Sequence, residues 1–266
     1  MNELSSPPQS IRDNFSLSTW LLLGATIQSL LFLLLPTRFS LAPAVLILTY
    51  RTADALLMAS GLRKNPYLGG VIHGKFTAQI PDRQGGFSKE TSNEGICIFM
   101  VGARANHPLG MFAPGFKELG DFFRGMVQQL EKNPEESGFL GASSWAGSDR
   151  TSSNETTTVI YFRSLSHIHA FAHSPAHRAG LAWWNARIAA IPHVAIMHEV
   201  YQNPSAGWEN IYINYHLTGL AATTYRAPGE KWVSPVVGAR RGGVRSGAGG
   251  TGEDGGYGDG PYAHEE

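Results

Sequence analysis

The 266-residue chain lacks several features that would point at once to a function. It has a single cysteine, Cys97, so no disulfide can form within the chain. Cys97 lies among apolar neighbours of a predicted strand, which favours a buried thiol over a nucleophile. The 21 basic and 21 acidic residues balance, so charge gives no reason to expect a nucleic-acid partner. No glycine-rich dinucleotide fingerprint connects a predicted strand to a helix.

A long apolar run lies near the N-terminus. Residues 17–35 contain no charged side chain, and 19 residues of helix span about 28 Å, close to the hydrocarbon thickness of a bilayer. The run is longer than the apolar core of a cleaved signal peptide, and no small-residue cleavage site follows it. We therefore predict that residues 1–66 are a retained membrane anchor, and we assign it to the endoplasmic reticulum.

A second apolar run, residues 41–59, is interrupted by Arg51 and Asp54. It is either a second span that forms a hairpin with the first, or an amphipathic helix that lies in the interface. A hairpin would place the soluble domain on the cytoplasmic side, where basic flanking residues are favoured. A single span would allow a luminal domain, and only then would the acceptor sequon at Asn154 be modified.

The soluble domain is predicted over residues 67–235. Its central part, residues 95–202, reads as strand–helix–strand–strand–helix–strand, which is the order of an α+β ferredoxin-like βαββαβ domain. The Ser174–Pro175 pair marks a candidate break in the second helix. Residues 236–266 are rich in glycine and have little to bury, which predicts a disordered tail. The predicted strands are 95–103, 138–146, 156–163 and 194–201, and the helices are 116–130 and 165–190.

A four-stranded sheet with both helices on one side leaves its other face bare. Bare apolar faces of this size are usually covered by a partner. Two such sheets that close face to face form a barrel-like assembly. We therefore predict a homodimer, as in a dimeric α/β barrel.

Four segments carry a resemblance to a known family: Tyr161-Phe162-Arg163-Ser164, the histidine-rich residues 169–178, Trp183-Trp184-Asn185, and GWENIY at 207–212. Together they resemble a fungal monooxygenase-like family, once labelled a domain of unknown function, of the dimeric α/β-barrel superfamily that includes antibiotic-biosynthesis monooxygenases. Members accompany natural-product gene clusters, among them that of the terpenoid fumagillin. The resemblance covers about residues 65–226.

The resemblance implies an oxidoreductase, a monooxygenase that acts on a hydrophobic terpenoid or polyketide intermediate in secondary-metabolite biosynthesis. It implies no bound organic cofactor, with haem as an alternative, and no metal site. The expected partners are the small-molecule substrate, membrane lipid, and membrane-bound P450 or other pathway enzymes. Two alternatives stay open: a cofactor-free isomerase, dehydratase or cyclase, and a non-catalytic partner of pathway enzymes.

Three histidines mark the second predicted helix. His169, His173 and His177 are spaced at i, i+4 and i+8, so on one continuous helix they share a stripe. The stripe fits a metal or haem site, an acid–base role for one histidine, or a polar structural edge. We predict His173 as the acid–base group, because imidazole exchanges protons near neutral pH. His169 and His177 are predicted to contact substrate.

Further candidate residues lie on the strands. Tyr161 and Arg163 are two residues apart and face the same side of a strand. If that side faces the helices, Tyr161 can donate to a carbonyl or enolate oxygen and Arg163 can hold the anion. If it faces the partner subunit, they are interface residues. Trp145, on the neighbouring strand, and Trp184, on the second helix, complete the predicted substrate contacts.

Overall fold

The computed structural model describes residues 12, 14–82, 84–88, 94–147, 155–227 and 231–238. The Asn154 sequon and the chain beyond residue 238 lie outside the described residues. The chain divides into two compact units: the described residues up to Gly70 form one, and the described residues from Val71 onward belong to the other. The predicted division between anchor and soluble domain fell four residues earlier, after residue 66.

The N-terminal unit is helical. Helix α1 spans Leu17–Leu34, the single turn α2 spans Thr37–Ser40, and α3 spans Ala42–Ala59. Ser16 caps α1 by accepting a hydrogen bond from the Thr19 amide. Two helical segments, Leu17–Leu34 and Thr37–Ala59, are long and apolar enough to cross a membrane, and neither is buried within the protein. Length and composition thus permit two spans.

Two polar side chains of the apolar segments have partners within this unit. The Gln28 side-chain amide donates to the Ser40 carbonyl oxygen over 3.0 Å, which ties the α2 turn back against α1. Asp54 of α3 forms an ion pair with Arg63, just after the helix. This pairing compensates the one acidic side chain of the second apolar run.

The soluble unit contains the predicted ferredoxin-like order, which is confirmed. The core elements are β2 (Ile96–Ala105), α4 (Phe116–Lys132), β3 (Phe139–Ala146), β4 (Thr156–Phe162), α6 (Leu165–Ala172), α7 (Pro175–Arg187) and β5 (Val194–Asn203). The short helix α5, Pro134–Ser137, separates α4 from β3. The four-stranded sheet has the order β3-β4-β2-β5, and all neighbours are antiparallel.

The second predicted helix is two helices. α6 ends at Ala172, and His173 is its C-terminal cap. Ser174 then caps α7: its hydroxyl accepts from the His177 amide over 3.2 Å. Pro175 occupies the first turn of α7, where its missing N–H costs nothing. The candidate break is therefore confirmed, and it divides the helix predicted over 165–190 into α6 and α7.

The main core lies between the sheet and the helices. Cys97 is fully buried within it. Burial raises the pKa of the Cys97 thiol, so the thiol stays protonated and unreactive. The buried members of this main core are Cys97, Leu130, Phe139, Ile160, Phe162 and Ile168.

A second layer covers part of the opposite sheet face. It contains a three-stranded sheet of order β6-β1-β9, in which β1 is Val71–Ala78, β6 is Tyr212–His216 and β9 is Val236–Gly238. Strands β7 (Tyr225–Ala227) and β8 (Lys231–Val233) form a separate hairpin. A second core joins this layer to the main sheet; it includes Phe76, Ile96, Leu140, Leu220 and Tyr225.

This layer corrects two expectations. The sheet face opposite the helices is not bare, because the chain's own β1 and C-terminal extension cover one end of it. The other end exposes apolar side chains, including Trp145 at 45% and Met197 at 38%. The predicted disordered tail began at residue 236, whereas Val236–Gly238 pair with β1.

One asparagine side chain holds the extension against β1. The Asn210 Oδ1 accepts from the Ala78 amide over 2.6 Å, and its Nδ2 donates to the Ala78 carbonyl over 2.8 Å. The Thr77 hydroxyl contacts the Asn210 carbonyl oxygen at 2.7 Å. Nearby, the Trp208 indole donates to the Glu94 carbonyl over 2.9 Å. The extension therefore continues the pairing of β1 beyond the end of β6.

Candidate functional site

Strand alternation places the predicted site residues on two faces of the sheet. Ile160 and Phe162 of β4 pack beneath the helices. Tyr161, between them, therefore points to the opposite face, where it packs with the second layer. His173 follows α6, whose Ile168 belongs to the core on the helix side. The structure does not bring Tyr161 and His173 together.

The helix break also separates the three histidines. His169 lies on α6, His173 at its C-terminal cap, and His177 in the first turns of α7. His169 and His173 are exposed, and only His177 is half-buried. The shared stripe depended on one continuous helix, so that part of the prediction is wrong. Among the described residues, no group of three His, Cys, Asp or Glu side chains is arranged to hold a metal ion.

His177 is the most enclosed of the three. Its ring contacts Phe171 edge-on, with 5.3 Å between centroids. Its Nδ1 is buried and has no hydrogen-bond partner among the described residues. A substrate contact at His177 would therefore require a ligand between the helices.

The two adjacent tryptophans of α7 differ in their contacts. Trp183 packs on Phe122 of α4, with 5.2 Å between ring centroids. The same helix pair meets at Gly180, where an added Cβ would lie 2.3 Å from the Met126 methyl group. Trp184, the predicted substrate contact, is half-buried beside Trp183 at 6.4 Å. Trp183 thus belongs to the packing of α4 on α7.

Three tyrosines gather on the opposite face, and we call Tyr161, Tyr212 and Tyr225 the tyrosine layer. Tyr161 and Tyr212 meet at Gly219, whose φ of +56° favours glycine. A Cβ on Gly219 would lie 3.2 Å from the Tyr161 hydroxyl and 3.5 Å from the Tyr212 hydroxyl. The Gly219 amide donates to the Ser143 hydroxyl over 2.9 Å. Glycine here lets two phenol groups approach the backbone.

The hydroxyls of this layer have different partners. Tyr212 accepts from the Ala221 amide over 3.3 Å, and the Tyr225 hydroxyl lies 3.3 Å from Thr223 Oγ1. The Tyr161 hydroxyl, by contrast, forms no hydrogen bond with another described residue, and Tyr161 is only half-buried. It is therefore the hydroxyl of the layer that is available to a ligand.

Burial controls the ionisation of the tyrosine layer. Desolvation, with a smaller contribution from Tyr212, raises the pKa of Tyr161 to about 12. Burial also raises the pKa of Tyr212 and of Tyr225. All three phenols stay protonated at neutral pH. Tyr161 can therefore donate a hydrogen bond to a ligand oxygen but cannot act as a base there.

Arg163 lies just beyond the end of β4. Its amide donates to the Gly138 carbonyl over 2.9 Å, and its guanidinium lies 5.8 Å from the centre of the Tyr225 ring. Arg163 is exposed, so this cation–π contact leaves its charge accessible. Tyr161 and Arg163 thus border the same cluster, through Tyr225.

Trp145 shares the sheet face of Tyr161 but not its surroundings. The register pairs Gly141 with Tyr161 and Trp145 with Thr157. Four residues of strand separate these pairs by about 13 Å. Trp145 therefore lies towards the uncovered end of the sheet, away from the tyrosine layer.

Sequence reasoning missed Ser143, Tyr212 and Tyr225. Tyr212 closes the GWENIY segment, which served in the sequence analysis only as part of the family resemblance. No local pattern indicates that a tyrosine 51 residues after Tyr161 returns to it. The position of Tyr212 depends on the pairing of β1 with β6, because that pairing carries the extension over the sheet.

Two solved structures are similar to parts of this chain. SnoaB, a cofactor-independent oxygenase from Streptomyces nogalater, is 12% identical with a TM-score of 0.28, over 40% of this chain and 90% of that one. An aldoxime dehydratase is 16% identical with a TM-score of 0.41, over 57% of this chain and 46% of that one. At these TM-scores neither likeness bears on the chemistry of this chain.

Comparison of sequences is more informative. The profile of the monooxygenase af470-like family matches residues 96–220. Monooxygenase af470 from Aspergillus fumigatus is 33% identical over 239 residues, which covers 88% of this chain and 86% of the relative. A match over 88% of the chain includes at least part of the N-terminal unit as well as the ferredoxin-like core. The chain belongs to the monooxygenase af470-like family.

Proposed function

We propose that the protein is a membrane-anchored monooxygenase of secondary-metabolite biosynthesis, which oxidises a hydrophobic terpenoid or polyketide intermediate. The observation that carries this proposal is the 33% identity, over most of both chains, to a protein named as a monooxygenase. The identity extends through nearly the whole chain, so one activity accounts for both units better than a function confined to one of them.

The membrane anchor is supported by the two exposed apolar segments. A hydrophobic intermediate partitions into lipid, so an anchored enzyme meets its substrate where the substrate is concentrated. The endoplasmic reticulum is the proposed membrane, and membrane-bound P450 or other pathway enzymes are the proposed neighbours. Either topology, one span or two, is compatible with this role.

The tyrosine layer supports a reaction without a bound organic cofactor. Loss of a proton from an activated C–H bond to a solvent base leaves a carbanion, which supplies the electrons that reduce O₂. One oxygen atom enters the product as a carbonyl and the other leaves as water, so a CH₂ group and O₂ yield C=O and H₂O. Tyr161 would donate to the enolate oxygen, and Arg163 would attract the anion.

His173 remains the proposed acid–base group for a substrate bound on the helix side. It is exposed and lies on the other side of the sheet from Tyr161, so one small substrate does not contact both. His169, His177 and Trp184 would line the helix-side location, whereas Trp145 lies on the face of Tyr161. Separate variants of His173 and Tyr161 therefore distinguish the two locations.

A homodimer is also part of the proposal. The uncovered end of the sheet exposes Trp145 and Met197, which a second copy would bury. The sheet area available for this contact is smaller than that of a fully bare sheet face, because the second layer covers the other end of the face.

The test is turnover of pathway intermediates by the full-length protein in nanodiscs under ¹⁸O₂. Incorporation of one labelled oxygen atom without added cofactor supports the proposal. Tyr161→Phe is expected to lower the rate about 100-fold to 1,000-fold, through loss of one oxyanion donor. Tyr67→Phe, which alters an 83% exposed tyrosine, is the matched control. Equal turnover without oxygen would instead identify an isomerase, dehydratase or cyclase.

A further inference from the structure

Two histidines outside the proposed site stand ring to ring where β2 ends and β5 begins. His107 follows β2 and His193 precedes β5, and their ring centroids are 4.8 Å apart. The Asn106 amide donates to the His193 carbonyl over 2.7 Å, which extends the strand pairing up to the rings. Both side chains are half-buried. The pair is therefore held by the backbone and is open to solvent on one side.

The backbone fixes the tautomer of each ring. The Leu109 amide donates to His107 Nδ1 over 3.1 Å. Because an amide can only donate, Nδ1 is unprotonated and the ring proton is on Nε2. His193 Nε2 lies 2.9 Å from the Pro114 carbonyl oxygen. Because a carbonyl can only accept, Nε2 of His193 carries a proton.

This assignment leaves one nitrogen on each ring without a protein partner. His107 presents Nε2–H, a donor, and neutral His193 presents the lone pair of Nδ1, an acceptor. Neither nitrogen has a hydrogen bond to another described residue. The loop that carries His107 also exposes apolar side chains: Leu109 is 50% exposed and Phe112 is 54% exposed. The rings that carry this donor and this acceptor have centroids 4.8 Å apart and lie near apolar side chains.

We infer that His107 and His193 form an acid–base site for an apolar ketone with an enolisable C–H bond, distinct from the tyrosine layer. His193 Nδ1 takes the proton from the carbon next to the carbonyl, and the C–H electron pair forms the enolate. His107 Nε2–H donates to the enolate oxygen. A neutral imidazole can serve as such an electrophile. The Pro114 carbonyl stabilises the His193 imidazolium that results.

The step is balanced without any co-reactant. One C–H bond breaks, one N–H bond forms on His193, and the negative charge moves to the oxygen held by His107. Return of the proton to oxygen gives the enol, and return to carbon restores the ketone. The site therefore catalyses exchange of the α-hydrogens with solvent, whether or not the protein oxidises anything.

Two substitutions separate this role from a structural one. His193→Gln keeps an N–H near the position of Nε2 for the Pro114 carbonyl but removes the acceptor at Nδ1. His107→Asn keeps an oxygen near the position of Nδ1 for the Leu109 amide but removes the Nε2–H donor. Both variants are expected to unfold at the wild-type temperature. His73→Ala, at an exposed position on β1, is the control.

The experiment uses full-length protein in nanodiscs, without oxygen, and two probes. 2-Naphthol, an apolar enol mimic, reports binding by its fluorescence, and 2-tetralone in D₂O reports α-hydrogen exchange by NMR. Each variant is expected to bind 2-naphthol about 5-fold to 10-fold more weakly, as for one lost hydrogen bond. His193→Gln should reduce exchange to the rate of empty nanodiscs. His73→Ala should match the wild type in both measurements.

The inference is overturned if both variants bind and exchange as the wild type does. It is also overturned if wild-type protein does not accelerate exchange over empty nanodiscs, or if the losses merely follow a lower unfolding temperature. None of these outcomes depends on ¹⁸O₂ incorporation. The oxygenation experiment can therefore fail while this one succeeds, and the reverse.

Discussion

The hydrogen bonds of Asn210 give a sharp prediction about stability. Asn210→Ala removes the Oδ1 that accepts from the Ala78 amide and the Nδ2 that donates to the Ala78 carbonyl. Ala78 is fully buried, so water cannot replace either partner. The Thr77 hydroxyl keeps its contact with the carbonyl oxygen of residue 210, which the substitution leaves in place.

The expected magnitude follows from the two orphaned backbone groups. Each buried amide or carbonyl left without a partner costs about 1–3 kcal/mol, so the free energy of unfolding should fall by about 2–6 kcal/mol. For a domain of this size, each kcal/mol lowers the unfolding temperature by about 2–4 °C. We therefore expect unfolding about 4–24 °C below the wild type.

The assay is thermal unfolding of full-length protein in nanodiscs, followed by near-ultraviolet circular dichroism. Asn210→Asp keeps the shape but replaces the donor with an oxygen that faces the Ala78 carbonyl, so it should be destabilised at least as much. Asn185→Ala, on the exposed surface of α7, should change the free energy of unfolding by less than about 0.5 kcal/mol. An unfolding temperature of Asn210→Ala within about 1 °C of the wild-type value would refute the reasoning.

Three further predictions concern other parts of the soluble unit. Gly138→Ala should destabilise it by more than about 1 kcal/mol, measured by the same unfolding assay, because φ is +66° and an added Cβ would lie 2.3 Å from the His167 ring. Ser174→Ala should cost about 1 kcal/mol in that assay, because it removes the cap of α7. In an alkaline titration, the contribution of Tyr161 to the free energy of unfolding should be fully present below about pH 10 and should be lost as the pH rises towards 12. The reason is that the pKa of Tyr161 is about 12 in the folded protein and near 10 in the unfolded chain. Tyr161→Phe should reduce this loss, and absorbance at 295 nm reports the ionisation.

The order of elements could be predicted from the sequence because it depends on local patterns. The apolar run of β2 and the helical repeat from Phe116 to Leu130 are visible within a dozen residues. The Ser174–Pro175 pair even marked the helix break. The break of two residues changes the direction of the chain. His169 and His177 therefore do not share the face of one helix.

The composition of the candidate site could not be predicted in the same way. The side of the sheet that Tyr161 faces depends on which residues of β4 meet the helices, and Tyr161 and Phe162 are equally plausible inward residues by type. The second layer depends on contacts such as that between Ala78 and Asn210, 132 residues apart. Such contacts leave no periodic signal in the intervening chain.

The same limit explains why the number of histidines near residue 173 is a poor guide to an acid–base group. Three histidines close in sequence suggested a site, yet two of them are exposed and the helix break divides them. His107 and His193 are 86 residues apart and each stands beside a proline, so nothing local links them. What makes a histidine useful is a backbone group that fixes its proton and a neighbour that completes the proton transfer. Both conditions are properties of the folded backbone, and in this protein they coincide at the ends of β2 and β5.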